Sequence, residues 1–384
     1  MHALAALSHA LPLLLFFIAP VCLIHAKNTT CDAVIALQFV MYIGRHNQPQ
    51  KSYDLYGFAK KINDHKGVRM NSVRFDDQVA IVTGAGRGLG REYALLLAAR
   101  GAKVVVNDYA CAADGSPDDN NPADDVVREI EQAGGSAVAA RYSVTDNAAA
   151  IVDTAISAFG RLDILVNNAG ISGGGWFAEI PVDDWARMID THLGGTVAVT
   201  RAAWPHLARQ GAARIINSSS NASFGAPFTT HYSTAKSAMI GFTPSLAEEG
   251  RAAHITVNAV MPAAYTRLTA QIPDPVLRDH LAANFQPERV AAFVGWLLST
   301  EISGEIFSVG AGRAARVVLA EGPAALVAED TPEAWSAVES QVMSLNGLRA
   351  PLSLIDELCE HLGDLGGDSA AIATTIRELP NWKP

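Results

Sequence analysis

The chain has 384 residues, of which 49% are hydrophobic and 18% charged. This length suffices for one large α/β domain with an appendage, and this composition buries a sizeable core, which excludes a disordered chain. The formal net charge of −10 argues against nucleic-acid binding, because neutralising phosphates needs clustered Lys and Arg. The four scattered cysteines form neither a disulfide framework nor a metal-site spacing, so we expect a cytoplasmic protein without a bound metal.

The N-terminal residues 1–69 have a doubtful status. Residues 11–24 are nearly all apolar, as in a signal peptide, but no Lys or Arg precedes them and Pro12 and Pro20 interrupt them. The run is also too short and broken for a good transmembrane helix, so we expect no membrane attachment. Met70 lies within ten residues of the first predicted strand, and our hypothesis is that it is the native start.

From residue 79 onward, short β-branched runs alternate with helix-length stretches. The runs cover residues 79–82, 103–106, 137–140, 164–166, 214–217 and 255–258. Such runs are typical of parallel strands buried on both faces, and alternating βα units predict right-handed crossovers. We therefore predict an α/β fold over residues 70–330: a single Rossmann-type doubly wound parallel sheet with helices on both faces. Residues 111–125 predict an exposed inserted loop. Residues 331–384 predict a C-terminal extension with helices over 334–345 and 352–362.

A glycine-rich turn at residues 83–90 separates the first strand from the first helix. Glycine has no Cβ, so the backbone turns tightly and approaches a diphosphate. The helix N-terminus adds free N–H groups and about half a unit of positive charge. The turn therefore predicts a dinucleotide site that includes Gly84, Arg87, Gly88, Leu89 and Gly90.

The end of the second strand bears on the choice between NAD and NADP. Asp108 stands there, and an acid at this place accepts hydrogen bonds from ribose hydroxyls and repels a 2′-phosphate. Arg87 in the glycine turn instead favours NADP, since a guanidinium could hold that 2′-phosphate. Tyr109 offers no second cation, so we expect NAD, with NADP as the less favoured alternative.

Tyr232 and Lys236 are four residues apart on a predicted helix, which places both on one face. A free phenol titrates at about pH 10, and we expect the neighbouring ammonium to lower the pKa of Tyr232. Tyr232 can then exchange a proton with an alcohol or ketone oxygen while hydride moves at carbon. Serines 218–220 end a predicted strand, and a hydroxyl there could steady the charge on that oxygen.

Four motifs occur in the order of the short-chain dehydrogenase/reductase family, which the chain resembles over about residues 75–327: the glycine turn, residues 167–170, the serines, and the Tyr232–Lys236 pair. The resemblance implies a small-molecule alcohol or ketone substrate, a homodimer or homotetramer, and catalysis by Ser220, Tyr232 and Lys236. It implies a cofactor cleft lined by Asn167, Asn168, Ala169 and Gly170. Counting back thirteen from Tyr232 selects Ser219 instead of Ser220. We choose Ser220, because loops absorb deletions more easily than strands.

His192 stands where the family commonly has Asn. With residues 104–108, 200–204 and 307–312, it resembles one branch of the family, the (3R)-hydroxyacyl-CoA dehydrogenase part of peroxisomal multifunctional enzyme type 2. The branch implies a fatty acyl-CoA substrate and places Ser143 and Val144 beside the adenine. Whether His192 packs structurally or relays protons stays open.

Two features argue against an acyl-CoA substrate. Residues 171–177 carry no charge, and the insert carries five acids that would repel polyanionic CoA: Asp114, Asp118, Asp119, Asp124 and Asp125. Trp176 and Phe177 instead favour a hydrophobic, steroid-like or terpenoid alcohol. A different class of function, a non-catalytic dinucleotide-sensing protein on the same fold, is the alternative.

Overall fold

The computed structural model describes residues 72–112, 114–116, 121–266, 275–351, 353–364, 370, 371 and 374. The doubtful segment 1–69 and the hypothetical start at Met70 lie outside the described residues. Among the described residues, no helix is long and apolar enough to cross a membrane.

One eight-stranded sheet has the order β3-β2-β1-β4-β5-β6-β7-β8, in which all neighbours are parallel except β7 and β8. The strands are β1 (Val79–Thr83), β2 (Lys103–Asn107), β3 (Ser136–Ala140), β4 (Ile164–Asn167), β5 (Ala213–Ser218), β6 (Ile255–Ala263), β7 (Ile306–Gly310) and β8 (Arg313–Val317). This confirms the Rossmann-type prediction and adds two strands. The sequence pattern did not indicate β8, an antiparallel edge strand with alternating exposure.

The connecting segments are mainly helical. They are α1 (Gly88–Ala99), α2 (Pro122–Gln132), α3 (Ala148–Phe159), α4 (Val182–Ile189), α5 (Gly195–Leu207), α6 (Thr230–Gly250), α7 (Pro275–Asn284) and α8 (Pro287–Leu298). A π-helical turn, Asp190–Gly194, joins α4 to α5, and 3-10 turns lie at Asn221–Phe224 and Arg251–Ala253. The C-terminal part contains α9 (Pro332–Ala337), α10 (Glu339–Val342) and α11 (Leu354–Asp364).

Both faces of the sheet are buried. In β1, Ala80 and Val82 belong to one apolar cluster, with α1, α2 and α8, while Val79 and Ile81 belong to a second, with α3 and α5. Successive side chains of a strand point to opposite faces, so a strand covered on both sides needs a continuous apolar run. This explains why short apolar runs, rather than alternating ones, marked the strands.

The predicted inserted loop is shorter than residues 111–125. Pro122 begins α2, and Asp124 and Asp125 lie in its first turn, where acids interact favourably with the helix dipole. Asp124 forms an ion pair with Arg141 at 2.6 Å, and Asp125 pairs with Arg128. Two of the five acids that were expected to repel CoA are therefore paired. Asp118 and Asp119 lie outside the described residues.

Candidate functional site

A cleft of about 370 Å³ opens at the carboxyl ends of the strands, where β1 lies between β2 and β4. Ligands of open α/β sheets bind at such a point, because the connections on its two sides leave in opposite directions. The volume lies within the range of small-molecule sites. The cleft is therefore the candidate active site.

The glycine turn forms one wall of the cleft, and its glycines are required by close packing. A Cβ on Gly84, whose φ is +61°, would lie 2.8 Å from Cα of Ala169. A Cβ on Gly90 would lie 2.1 Å from the carbonyl oxygen of Gly84. No side chain caps the N-terminus of α1, so its N–H groups fit a diphosphate. Four predicted members line the cleft, and Gly90 does not: Gly84, Arg87, Gly88 and Leu89.

The loop after β4 is tied to this turn by hydrogen bonds. Thr83 Oγ1 accepts from the N–H groups of Asn168 and Ala169 at 2.9 and 3.0 Å. Asn168 Nδ2 donates to the carbonyls of Thr83 and Gly84 at 2.9 and 3.1 Å. Asn168, Ala169 and Gly170 line the cleft, as the family resemblance implies. The two walls thus form one rigid unit.

Asn167, which the resemblance also placed in the lining, points elsewhere. It is 4% exposed, and its Nδ2 donates to Thr200 Oγ1 at 3.0 Å and to Asn217 Oδ1 at 2.9 Å. Asn217 in turn donates to Thr243 Oγ1 at 3.1 Å. Asn167 therefore links the sheet to α5 and α6, because consecutive residues at the end of a strand face opposite sides.

Asp108 lines the other end of the cleft together with Ser143 and Val144. Its Oδ2 accepts from the N–H of Gly86 and its Oδ1 from that of Ala110, both at 2.9 Å. These bonds hold the carboxylate beside the glycine turn. Arg87 Nη1 donates to the carbonyl of Cys111 at 3.2 Å, so its guanidinium lies against the insert.

Tyr232 and Lys236 both reach the cleft from α6. Lys236 Nζ donates to the carbonyl of Ser218 at 2.8 Å and lies 5.9 Å from the centroid of the Tyr232 ring. Burial lowers the pKa of Lys236 to about 8, since leaving water disfavours the charged form. The two groups point to the same side of the helix, as their spacing predicts.

The expected lowering of the phenol's pKa is wrong in this structure. Burial raises the pKa of Tyr232 above its ordinary value, and a hydrogen bond with Ser220 opposes that rise. Desolvation dominates because the phenolate would lose its hydration. The Lys236 ammonium does not outweigh this effect, since it is directed to the Ser218 carbonyl and is itself destabilised by burial.

The serines differ in their partners. Ser219 is 2% exposed and its hydroxyl donates to the carbonyl of Lys236 at 2.8 Å. Ser220 Oγ accepts from the N–H of Ala222 at 3.1 Å and is near enough to Tyr232 to lower the pKa of that phenol. Ser218 and Ser219 line the cleft and Ser220 does not, but Ser220 is the serine that affects the pKa of Tyr232.

His192 packs against the same tyrosine. Its Nε2 lies 2.8 Å from the carbonyl oxygen of Ile171, and its ring meets that of Tyr232 edge-on at 5.4 Å. A Cβ on Gly170 would lie 2.3 Å from His192 Cε1, so glycine is required there. Burial lowers the pKa of His192 well below its ordinary value, which keeps the imidazole neutral. These contacts are those of a packed histidine.

Several lining residues were not predicted from the sequence: Asn107, Tyr109, Cys111, Gly115, Arg187 and Thr266. Asn107 and Thr266 follow from their place at or after strand ends, a signal that was present. Gly115 and Arg187 reach the cleft only through tertiary packing, so no local sequence pattern indicates them. Among the described residues, no group of three or more His, Cys, Asp or Glu could hold a metal ion.

The model of the family described as short chain dehydrogenase matches residues 78–274. The chain belongs to this family. It is therefore an oxidoreductase that acts on CH–OH groups. The earlier resemblance is confirmed, including its branch, because the relatives include peroxisomal multifunctional enzymes type 2.

Three known proteins illustrate the similarity. The peroxisomal hydratase-dehydrogenase-epimerase of Saccharomyces cerevisiae is 43% identical over 244 residues, which is 63% of this chain and 27% of the relative. The peroxisomal multifunctional enzyme type 2 of Drosophila melanogaster is 38% identical over 311 residues, 77% of this chain and 51% of the relative. Its solved structure matches with a TM-score of 0.63 at 34% identity, covering 76% of this chain and 50% of that one. A 7α-hydroxysteroid dehydrogenase complexed with NADH and 7-oxo glycochenodeoxycholic acid matches with a TM-score of 0.56 at 31% identity, covering 62% and 95%.

The chain thus spans about a quarter to a half of the length of the multifunctional relatives. The expectation of a cytoplasmic location is wrong. Five relatives are named as peroxisomal enzymes, which points to the peroxisome instead. The error has a physical reason, because a low cysteine count argues against disulfides and does not distinguish compartments that lack them.

Proposed function

We propose that the chain is an NAD-dependent dehydrogenase that interconverts a secondary alcohol and a ketone, with Ser220, Tyr232 and Lys236 as its catalytic residues. One observation carries the proposal: Tyr232 and Lys236 lie together in the cleft whose other wall is the glycine turn. Candidate substrates are a 3-hydroxyacyl-CoA, as the branch implies, and a hydrophobic alcohol, as the exposed Trp176 and Phe177 favour.

The residues present fit a dinucleotide. The tight glycine turn and the uncapped start of α1 would hold the diphosphate, Asp108, Ser143 and Val144 the adenosine, and residues 168–170 with Lys236 the nicotinamide riboside. When bound, the nicotinamide supplies the acceptor or donor of hydride. Tyr232 then exchanges a proton with the substrate oxygen, and the Ser220 hydroxyl orients that oxygen by hydrogen bonding.

The same proposal assigns the remaining parts of the chain. We propose residues 70–330 as the dehydrogenase domain and 331–384 as an extension that contacts a second copy in a homodimer or homotetramer. Exposed apolar side chains in the extension, among them Trp335, Met343 and Leu345, support this contact.

Replacing Tyr232 with Phe removes the proton donor and leaves the ring. We expect turnover of secondary alcohols to fall by about 10²–10⁴-fold, while the dissociation constant of NADH, followed by its fluorescence, stays near the wild-type value. A dinucleotide sensor would instead have no turnover to lose in the wild-type protein. Retention of turnover in Tyr232→Phe contradicts the proposal.

The serine assignment is tested by a matched pair. Ser220→Ala removes the hydroxyl that contacts Tyr232, and we expect kcat to fall on the order of 10²-fold. Ser219→Ala removes the hydroxyl that donates to the Lys236 carbonyl, which lowers the free energy of unfolding by about 1 kcal/mol and reduces kcat far less. Initial rates and urea midpoints distinguish the two variants. The opposite order of kcat would assign the role to Ser219.

The preference for NAD is attributed to the charge of Asp108. Asp108→Asn keeps an oxygen that can accept from the N–H of Gly86 and removes the negative charge that opposes a 2′-phosphate. We expect the ratio of kcat/KM for NADP to that for NAD to rise at least about tenfold, or 1.4 kcal/mol. Asp125→Asn, on the exposed side of α2, is the control. An unchanged ratio in Asp108→Asn rejects the assignment.

The opposite pKa shifts of Tyr232 and Lys236 predict a pH dependence. Burial lowers the pKa of Lys236 to about 8 and raises that of Tyr232, so the pair loses its first proton near pH 8. That proton leaves Lys236, whose neutral amine can then accept a proton from Tyr232 as Tyr232 takes the proton of the alcohol. The rate of alcohol oxidation should therefore rise with increasing pH through about 8. In Lys236→Arg the guanidinium keeps its proton, so the rise should move to higher pH. Lys103→Arg, at the far end of β2, is the control. A rise at the same pH in Lys236→Arg would refute the assignment.

A further inference from the structure

Four large exposed aromatic side chains stand on the two loops that lead from Ile171 and from Ser220. We call Trp176, Phe177, Phe224 and Phe228 the aromatic rim; they are 59%, 70%, 68% and 50% exposed. The first two lie on the loop that follows Ile171, and the other two lie between Ser220 and Tyr232 in the chain. Single exposed apolar residues are common, whereas a group of this size beside a catalytic pair marks a binding surface.

The rim is held in place by its own contacts. Trp176 and Phe228 meet edge to face with ring centroids 5.7 Å apart, and the N–H of Gly175 donates to the carbonyl of Phe228 at 2.9 Å. A Cβ on Gly174 would lie 2.8 Å from the Phe228 ring. Phe228 has a φ of +71°, which is rare for a bulky residue and holds the ring against the neighbouring loop.

The rim is also joined to the reacting end of the cleft. Ile171, which lines the cleft, is buried with Met188 and Ala235, and Tyr232 packs against this cluster. Phe177 contacts Trp185 at 6.1 Å, and Trp185 stacks at 6.0 Å on His231, the residue before Tyr232. The loop that carries Trp176 and Phe177 is therefore packed against the start of the helix that carries Tyr232.

The segment that carries Trp176 and Phe177 continues into a predominantly acidic stretch. Residues 171–178 carry none, and residues 179–190 carry four acids and one Arg. That base, Arg187, is paired with Asp184 at 2.8 Å. A net charge of −3 beside an apolar surface favours an uncharged ligand and disfavours one that carries several phosphates.

We propose that the aromatic rim binds the apolar body of an uncharged secondary alcohol or ketone and discriminates against the same reacting group carried on coenzyme A. This specificity rests on the dehydrogenase function proposed above. The substrate oxygen meets Tyr232, and the apolar body extends over Trp176 and Phe228 rather than into solvent. Its contribution to affinity is the removal of aromatic and substrate surface from water.

A matched pair of substrates tests the charge discrimination. The 3-hydroxydecanoyl thioesters of N-acetylcysteamine and of coenzyme A share the reacting group and the acyl chain and differ in the phosphates. With NAD, we expect kcat/KM to be higher for the uncharged thioester, and that of the CoA thioester to rise with added NaCl as repulsion is screened. A CoA thioester preferred more than about tenfold, with kcat/KM falling as salt is added, overturns the proposal.

Rim variants test the contact itself. Trp176→Ala and Phe228→Ala should raise KM for the uncharged thioester, or for a hydrophobic cyclic alcohol, by about ten- to a hundredfold with the KM of NAD unchanged. Trp296→Ala removes an indole that is 44% exposed on α8, outside both the cleft and the rim, and should leave both constants unchanged. Unchanged KM in the rim variants overturns the rim assignment. If the wild-type protein forms no NADH or NADPH from any of these alcohols, the proposed function itself fails.

Discussion

The hydrogen bond from Lys236 Nζ to the carbonyl of Ser218 fixes the geometry on which the site depends. It joins α6 to the end of β5. The helix that carries Tyr232 is therefore held in a fixed position relative to the turn that carries Ser220. A buried ammonium needs such a partner, because an unpaired charge away from water is strongly unfavourable. The reverse bond, from Ser219 to the carbonyl of Lys236, strengthens the same junction. Ser219 therefore has a structural role at this junction, whereas Ser220 is the serine that affects the Tyr232 phenol.

A second constraint is the close approach of the glycine turn to the loop after β4. Gly84 and Gly90 leave no space for a Cβ, and Thr83 accepts hydrogen bonds from the facing backbone. In the same loop, the absence of a Cβ at Gly170 leaves space for the His192 ring, which packs against the ring of Tyr232. The glycine turn and Tyr232 are thus connected through the loop after β4 and through His192. A change at any of these glycines would displace both halves of the site.

The sheet was predictable because a strand buried on both faces requires a local apolar run. The positions of Gly84, Asp108, Tyr232 and Lys236 were predictable because they follow from strand ends and helical spacing. The remainder depends on partners distant in sequence. Asn167 and Asn168 are the same residue type in neighbouring positions. Asn167 nevertheless bonds to Asn217 of the adjacent strand, whereas Asn168 bonds to the glycine turn at the cleft. The pKa of Tyr232 follows from burial, which spacing does not give. Asp124 and Asp125 were predicted to be unpaired charges of a loop, whereas in the structure they form ion pairs with Arg141 and Arg128.

The proposed catalytic residues and the aromatic rim lie on different kinds of structural element. Tyr232 and Lys236 stand on a 21-residue helix packed against the sheet, whereas the rim stands on two loops held mainly by each other. Changes in the rim therefore leave the sheet, the glycine turn and the catalytic pair in place. Loops on a rigid scaffold are where binding residues vary at least cost to stability. The proposed reaction type accordingly depends on the helix and the glycine turn, and the proposed substrate choice depends on the two loops.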